Sequence, residues 1–286
     1  MRHDPPLVYD CIRCGHSCRS FEVQVEVDEA RRLNLQGPNG RPGFITLPVD
    51  ERGCGYLTSD STCRLHLEGG PQAKPSACRS FPLVVRQTPD GLFTGVSFCC
   101  TAVRTQQGRP LRDHDLAAVK SEGIAESDYA QYLLLEPRLR QARDEPAVLL
   151  ETTAQELAPY VLELVLILEA GRPENIPTLY AAVAEGTLPS RLLGQVVSLG
   201  QPWWTCRPPA AGLAHLYLDH VLHRKDLALM APELATISFV LRTYLLRWYA
   251  HACADWSLAV DIVERHAGLH ASGLEPFFLS VAQRLA

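Results

Sequence analysis

Thiolates are the softest ligands a protein chain supplies, and eight of the ten cysteines in this sequence fall within its first hundred residues. They are Cys11, Cys14, Cys18, Cys54, Cys63, Cys78, Cys99 and Cys100. Cys11-Ile-Arg-Cys14-Gly-His-Ser-Cys18 is a knuckle: two residues between thiolates let both sulfurs turn toward one ion, and Gly15 permits the tight bend. Cys54 and Cys63 are separated by eight residues that include turn formers, and Cys78 lies between Pro75 and Arg79-Ser80-Phe81-Pro82. Four thiolates satisfy either one tetrahedral zinc or one [4Fe–4S] cube, and spacing does not separate the two. All eight cysteines are candidate ligands, with an iron–sulfur cluster as the first expectation and zinc close behind. Cys-x2-Cys-x3-Cys reverses the order used by radical enzymes that cleave S-adenosylmethionine, so that chemistry is not expected. Cys206 and Cys253 stand alone and read as core packing.

The elements that must position these thiols are short. Phe21, Val23, Val25 and Val27 alternate with Glu22, Gln24 and Glu26, the period-two pattern of a strand with one buried face. Asp28 is placed to cap a short helix through Leu33, and Phe44–Leu47 reads as another strand. Leu83–Thr88 and Leu92–Cys99 flank Pro89-Asp90-Gly91 and predict a β-hairpin that ends on the Cys99-Cys100 pair. So few apolar residues do not specify a fold without a crosslink, which makes a metal-dependent domain the natural reading.

A compositional break near residues 105–112 divides the chain into a Cys-rich metal-binding domain, 1–108, and a helical domain, 109–286. The second part is rich in Leu and Ala with helical periodicity over 113–121, 126–143, 152–170, 176–186, 190–199, 211–224, 233–253, 256–266 and 273–285. The expected fold class is therefore α+β: a small domain of short strands followed by a mainly α-helical bundle.

The 27 basic and 32 acidic residues give a net charge of -5, which argues against a nucleic-acid partner. The segment Met1–Pro6 lacks the apolar run of a secretory signal, and Leu157–Ala170, the longest greasy stretch, is interrupted by Pro159 and Glu163 and falls short of a membrane span. A cytoplasmic protein with reduced thiols and no membrane partner is expected.

The cysteine half resembles the CxxCxxCC family, a zinc- or iron-chelating domain that includes the flagellin lysine-N-methylases. The resemblance rests on Cys11, Cys14-Gly15, Ser17-Cys18, Cys54-Gly55-Tyr56-Leu57, Cys63-Arg64-Leu65-His66, Lys74-Pro75 and Cys78-Arg79-Ser80-Phe81-Pro82, which follow the family's order over residues 8–100. Ser17 stands where the doubled cysteine of the family has its first member, and Lys74 replaces the commoner Arg. The resemblance implies chelation and, more specifically, methylation of a lysine on a protein substrate with S-adenosylmethionine as donor. The rival class is a non-enzymatic metal-stabilised module for interaction, storage or sensing.

Other residues carry weaker signals. His215, Asp219 and His223 recur at four-residue intervals, a pattern shared by metal sites in helical bundles and by ordinary polar interhelical faces, and the latter is favoured. His16 and His66 stand close to cysteines and suit a zinc shell. Arg79 beside Cys78 is either a partner of the thiolates or a surface residue. Arg242 and Arg247 interrupt an apolar helix and are expected to snorkel to water, and Trp203, Trp204, Tyr244, Trp248, Tyr249 and Trp256 to anchor helix packing. The sequence contains neither GxGxxG after a strand, nor GxxxxGK[ST], nor a nucleophile elbow, so no donor pocket and no general base is assigned.

Overall fold

Alternation over Phe21–Val27 does put one face inward: Val25 is buried between exposed Gln24 and Glu26. The strand is shorter than its pattern, and the chain turns into a helix at Val27. The computed structural model describes residues 7–114, 116, 119–209, 212–268 and 271–285 and shows an α+β protein with small antiparallel sheets and a helical carboxyl-terminal region.

The chain divides into two units. One holds the residues up to Val85 together with Thr94–Glu122, and the other holds Arg86–Phe93 and the residues from Gly123 onward. In chain order the first carries β1 (Val8–Tyr9), α1 (His16–Ser20), β2 (Gln24–Glu26), α2 (Val27–Arg32), β3 (Phe44–Thr46), β4 (Val49–Asp50), β5 (Gly53–Cys54), α3 (Arg64–Gly69) and α4 (Ser76–Ser80). The hairpin of β6 (Leu83–Thr88) and β7 (Gly91–Val96) follows, then α5 (Thr101–Arg104), β8 (Arg109–Pro110) and β9 (Ser121–Gly123). The hairpin closes at Asp90-Gly91, where Gly91 takes φ +113°, a conformation that L side chains rarely adopt.

Three two-stranded pairings tie distant parts of this unit. Val8 and Tyr9 face Pro110 and Arg109; Gln24, Val25 and Glu26 face Thr46, Ile45 and Phe44; Val49 and Asp50 face Cys54 and Gly53. A small core of Val25, Ala30, Leu35 and Leu47 lies beneath them, flanked by the side chains of Cys54 and Cys78. Asp28 does not cap α2. It lies in the first turn, favourable for the helix dipole, and its carboxylate pairs with Arg31 at 3.3 Å.

The second unit is built on helices α6 (Glu126–Gln141), α7 (Ala154–Ala170), α8 (Ile176–Ala184), α9 (Leu213–His223), α10 (Pro232–Cys253), α11 (Trp256–Val263) and α12 (Glu275–Leu285). Helix α10 is its axis, buried almost all round from Ala235 to Ala250. A π-helical turn, Glu264–Gly268, extends α11. Thr153 opens α7 with a complete capping box: its hydroxyl accepts from the Glu156 amide at 3.2 Å, and the Glu156 carboxylate accepts from the Thr153 amide at 2.9 Å.

Two helix expectations fail here. Residues 190–199 belong to a hairpin of β10 (Thr187–Ser190) and β11 (Gln195–Ser198), with Ser190 facing Gln195 and Thr187 facing Ser198. The reversal at Gly194 (φ +66°) and the β-branched pair Val196-Val197 override the apolar spacing that suggested a helix. Within 113–121 the described residues give a short 3-10 turn at Leu111–Asp113 and the start of β9, while positions 115, 117 and 118 lie outside the described residues. Among the described residues, no helix is long and apolar enough to cross a membrane.

Candidate metal centre

Five of the candidate cysteines lie in or cap short elements. Cys18 lies in α1, whose N-cap is Gly15 in the left-handed region, and Cys54 ends β5. Cys63 is the N-cap of α3, Cys78 lies within α4, and Cys100 is the N-cap of α5.

Backbone contacts bring these elements together. Gly53 (φ +108°) presses against α1 so closely that a Cβ there would lie 2.4 Å from Arg19 Cα and 2.7 Å from the Cys18 carbonyl oxygen. Only glycine tolerates that approach, and the approach sets Cys54 beside Cys18. A turn then returns the chain toward Cys54: the Leu57 amide donates to the Cys54 carbonyl and the Arg64 amide to the Tyr56 carbonyl, both at 2.8 Å, while Leu57 bridges to Cys63. Arg19 fastens the knuckle, donating through Nη1 to the Cys14 carbonyl at 2.8 Å and through Nη2 to the Ser61 hydroxyl. Glu29, buried in α2, accepts from the Ser76 amide and hydroxyl at 2.8 Å each and fixes the start of α4.

The electrostatics sort the thiols into two neighbourhoods. Cys18 is exposed by surface area, yet surrounding atoms partly desolvate its thiol and raise it, with Cys54 and Cys63 adding to the rise and Lys74 opposing it; Cys11 contributes last. Burial also raises Cys54, opposed by a hydrogen bond from the Tyr56 amide and reinforced by Cys63. Burial pushes the Cys78 thiol up to about 12; Lys74 opposes this, and Cys54, Cys18 and Cys63 add to it. Cys18, Cys54, Cys63 and Cys78 are therefore all within electrostatic reach of one another, with one cation beside them. The other neighbourhood centres on Cys100, raised by burial, lowered by the Val103 and Ala102 amides, and raised again by Cys14 and Cys11. Tyr9 faces the same place, its hydroxyl held well above the usual phenol range by burial and then by Cys11 and Cys100.

These thiols are gathered but not closed around a point: among the described residues, no three His, Cys, Asp or Glu side chains are set to hold a metal ion. Cys11, Cys14 and Cys18 are exposed, Cys54, Cys63 and Cys78 half-buried, and Cys99 and Cys100 buried. The Cys99 carbonyl accepts a hydrogen bond from the Ser17 hydroxyl at 3.5 Å. His16 opens α1, and His66 is exposed on α3. Arg79 reaches away from the thiols, donating to the Gln72 carbonyl at 3.2 Å and lying 3.8 Å from Glu29. Sequence reasoning missed Arg19, Gly53, Lys74 and Tyr9 as parts of this site. Their signal is adjacency to a cysteine, which acquires meaning only once the elements are paired.

The second unit uses its polar residues for packing. His215 Nε2 meets Asp144 Oδ1 at 2.8 Å, Asp219 pairs with Arg143 at 2.6 Å, and His223 stacks against His220 and meets Phe93 at a tilt of 60°. Arg242 and Arg247 do not snorkel: each is 2 % exposed. Arg242 donates to the Ala267 carbonyl, and Arg247 to the Trp204 and Asp144 carbonyls. Backbone carbonyls thus take part of the hydrogen bonding that water was expected to supply, while Arg242 Nε and Nη1 and Arg247 Nε lack a hydrogen-bond partner among the described residues. Trp203 packs edge-on against Trp248 at 5.6 Å, as an anchor of helix packing.

No protein-family profile matches the chain, and no solved structure matches it. An uncharacterized protein of Methanocaldococcus jannaschii is 32 % identical over 82 residues, which is 27 % of this chain. The aligned stretch spans 29 % of that relative's length.

Proposed function

We propose that this chain is a metal-thiolate protein whose first unit holds a [4Fe–4S] cluster or a zinc ion through Cys18, Cys54, Cys63 and Cys78. The observation that carries the reading is the electrostatic reach among these four thiols, which come from four separate elements, with Lys74 as a counter-charge to Cys18 and Cys78. Four thiolates match the donor set of either group, and both leave the same net charge of about -2 at the site. Thiols raised by burial gain nothing from being left as isolated anions; a cation removes that penalty. Closing the set needs side-chain rotation at positions the backbone already holds together. When bound, the group would crosslink α1, β5, α3 and α4 beside the small cluster of Val25, Ala30, Leu35 and Leu47. The iron–sulfur cluster is the first choice, and the test is anaerobic purification with elemental and acid-labile sulfide analysis. Brown protein with iron and sulfide in equal amounts, lost in Cys63→Ser, is expected. Folded protein free of iron and zinc overturns the reading.

Methylation of a protein lysine with S-adenosylmethionine is the activity we attach to this centre, on the strength of the family resemblance carried by Cys11–Pro82. Transfer of a labelled methyl group to lysine-bearing peptides tests it. Folded, metal-loaded protein that binds no S-adenosylmethionine analogue redirects the reading to a metal-stabilised interaction module.

A further inference from the structure

Three apolar residues in a row, Val148-Leu149-Leu150, end the 3-10 turn Pro146–Leu150 that follows α6. Val148 is 63 % exposed, and Leu149 and Leu150 are half-buried. A surface run of this kind is unfavourable unless something covers it. Leu149 and Leu150 line an open groove of about 290 Å³ together with Ile237 of α10 and Ala282 and Leu285 of α12, all within the second unit. Ile237 is buried, and Ala282 and Leu285 are half-buried. The volume lies at the floor of the range for small-molecule sites, so the groove has room for a few side chains rather than for a cofactor.

The uncompensated charge beside the groove is negative. Glu233 lines it from one turn before Ile237, on the same face of α10; it is exposed, and its carboxylate makes no hydrogen bond or ion pair among the described residues. Glu151, which follows Leu150, is likewise exposed and its carboxylate likewise unpaired among the described residues. Arg284, beside Leu285, is committed elsewhere: its guanidinium pairs with Glu163 at 2.7 Å and lies over the Tyr160 ring. Thr236 is the other polar residue of the lining, and its hydroxyl donates to the Pro232 carbonyl at 2.8 Å. We infer that this groove docks a segment of a partner protein that carries aliphatic side chains with lysine or arginine beside them. The aliphatic side chains cover the Leu149-Leu150 run, and the basic side chain lays its stem on apolar surface while its charge meets Glu233. The inference is independent of the metal reading, since every residue it uses belongs to the second unit.

The experiment is fluorescence anisotropy on the full chain with three labelled peptides, one of leucine and lysine, one of leucine and glutamate and one of serine and lysine. The leucine–lysine peptide is expected to bind at least about tenfold more tightly than either of the others. Glu233→Lys and Leu149→Asp are each expected to weaken that binding about tenfold, the first by reversing the charge and the second by removing the apolar wall. Glu233→Gln, which keeps the size of the side chain, is expected to fall between the native chain and Glu233→Lys. Both positions are at least partly exposed, and circular dichroism with thermal unfolding checks that the variants remain folded. Absence of binding, equal binding of the serine–lysine peptide, or unchanged affinity in Glu233→Lys or Leu149→Asp overturns the inference. Concentration-dependent dimers in place of peptide binding, dispersed by Leu149→Asp, assign the groove to a second copy of the chain and overturn it as well.

Discussion

Gly53 does more for the thiols than any single cysteine does. Its missing side chain lets β5 lie on the α1 backbone beside Cys18 and Arg19, and its φ of +108° is one that L side chains rarely adopt. Gly53→Ala is expected to lower bound metal and to destabilise the first unit by roughly 1–3 kcal/mol through strain at a special conformation. Metal analysis and denaturant unfolding of the same variant check both effects. The raised thiols add a pH dependence with a definite sign. Ligation requires thiolates, and burial holds Cys18, Cys54 and Cys78 protonated at neutral pH, so each ion captured must release protons. Metal affinity should therefore rise with pH and fall on acidification, which competition with a chromophoric chelator at pH 6 and pH 8 measures. At this scale the residue types were legible in the sequence and their grouping was not. Spacing along the chain marks Cys11, Cys14 and Cys18 as one knuckle; the contact of Gly53 with α1 and the pairing of β1 with β8 join its two ends to different stretches of the unit.

Elements were legible wherever period and punctuation agree. Helix α7 follows the period that suggested 152–170, and the structure opens it with a full capping box of Thr153 and Glu156. Thr153→Ala should cost about 1 kcal/mol, read by urea denaturation. Where period and punctuation conflict, punctuation wins: a helix was expected over 190–199, but Gly194 reverses the chain and Val196-Val197 lies in a strand. Buried charge in α9 and the π-helical turn was invisible for another reason. Arg224 and Glu264 are both fully buried and joined at 2.6 Å, yet forty residues separate them, and a single sequence gives no signal for such a partner. Glu264→Ala leaves an arginine whose other partner is Asp226 and is expected to cost about 3–5 kcal/mol, a loss that thermal unfolding will register clearly.

Across the whole molecule the compositional break near residue 108 and the structural division do not coincide. The first unit runs on to Glu122 and lacks the tip of its own hairpin. Composition records where cysteines stop and leucines begin; it does not record which residues a β-turn meets. The two units also differ in what supports them. The second buries α10 along most of its length, while the cluster that Cys54 and Cys78 pack against in the first holds four buried apolar residues, Val25, Ala30, Leu35 and Leu47. Removal of metal by a chelator is therefore expected to lower the melting of the first unit by at least about 10 °C and to leave that of the second unchanged. Scanning calorimetry with and without chelator should resolve a single moving transition.

The excursion of Arg86–Phe93 carries a consequence for dissection. Its partners, Asp226 for Arg86, Tyr129 for Asp90 and Lys225 for Phe93, all come from the carboxyl-terminal half. A fragment cut after Glu122 would retain every thiol of the two neighbourhoods and yet strand eight residues, including the Phe93 ring, without their anchors. No single scissors-cut liberates the sulfur-bearing part intact, so excision would have to be paired with a shortened or resurfaced turn between Val85 and Thr94.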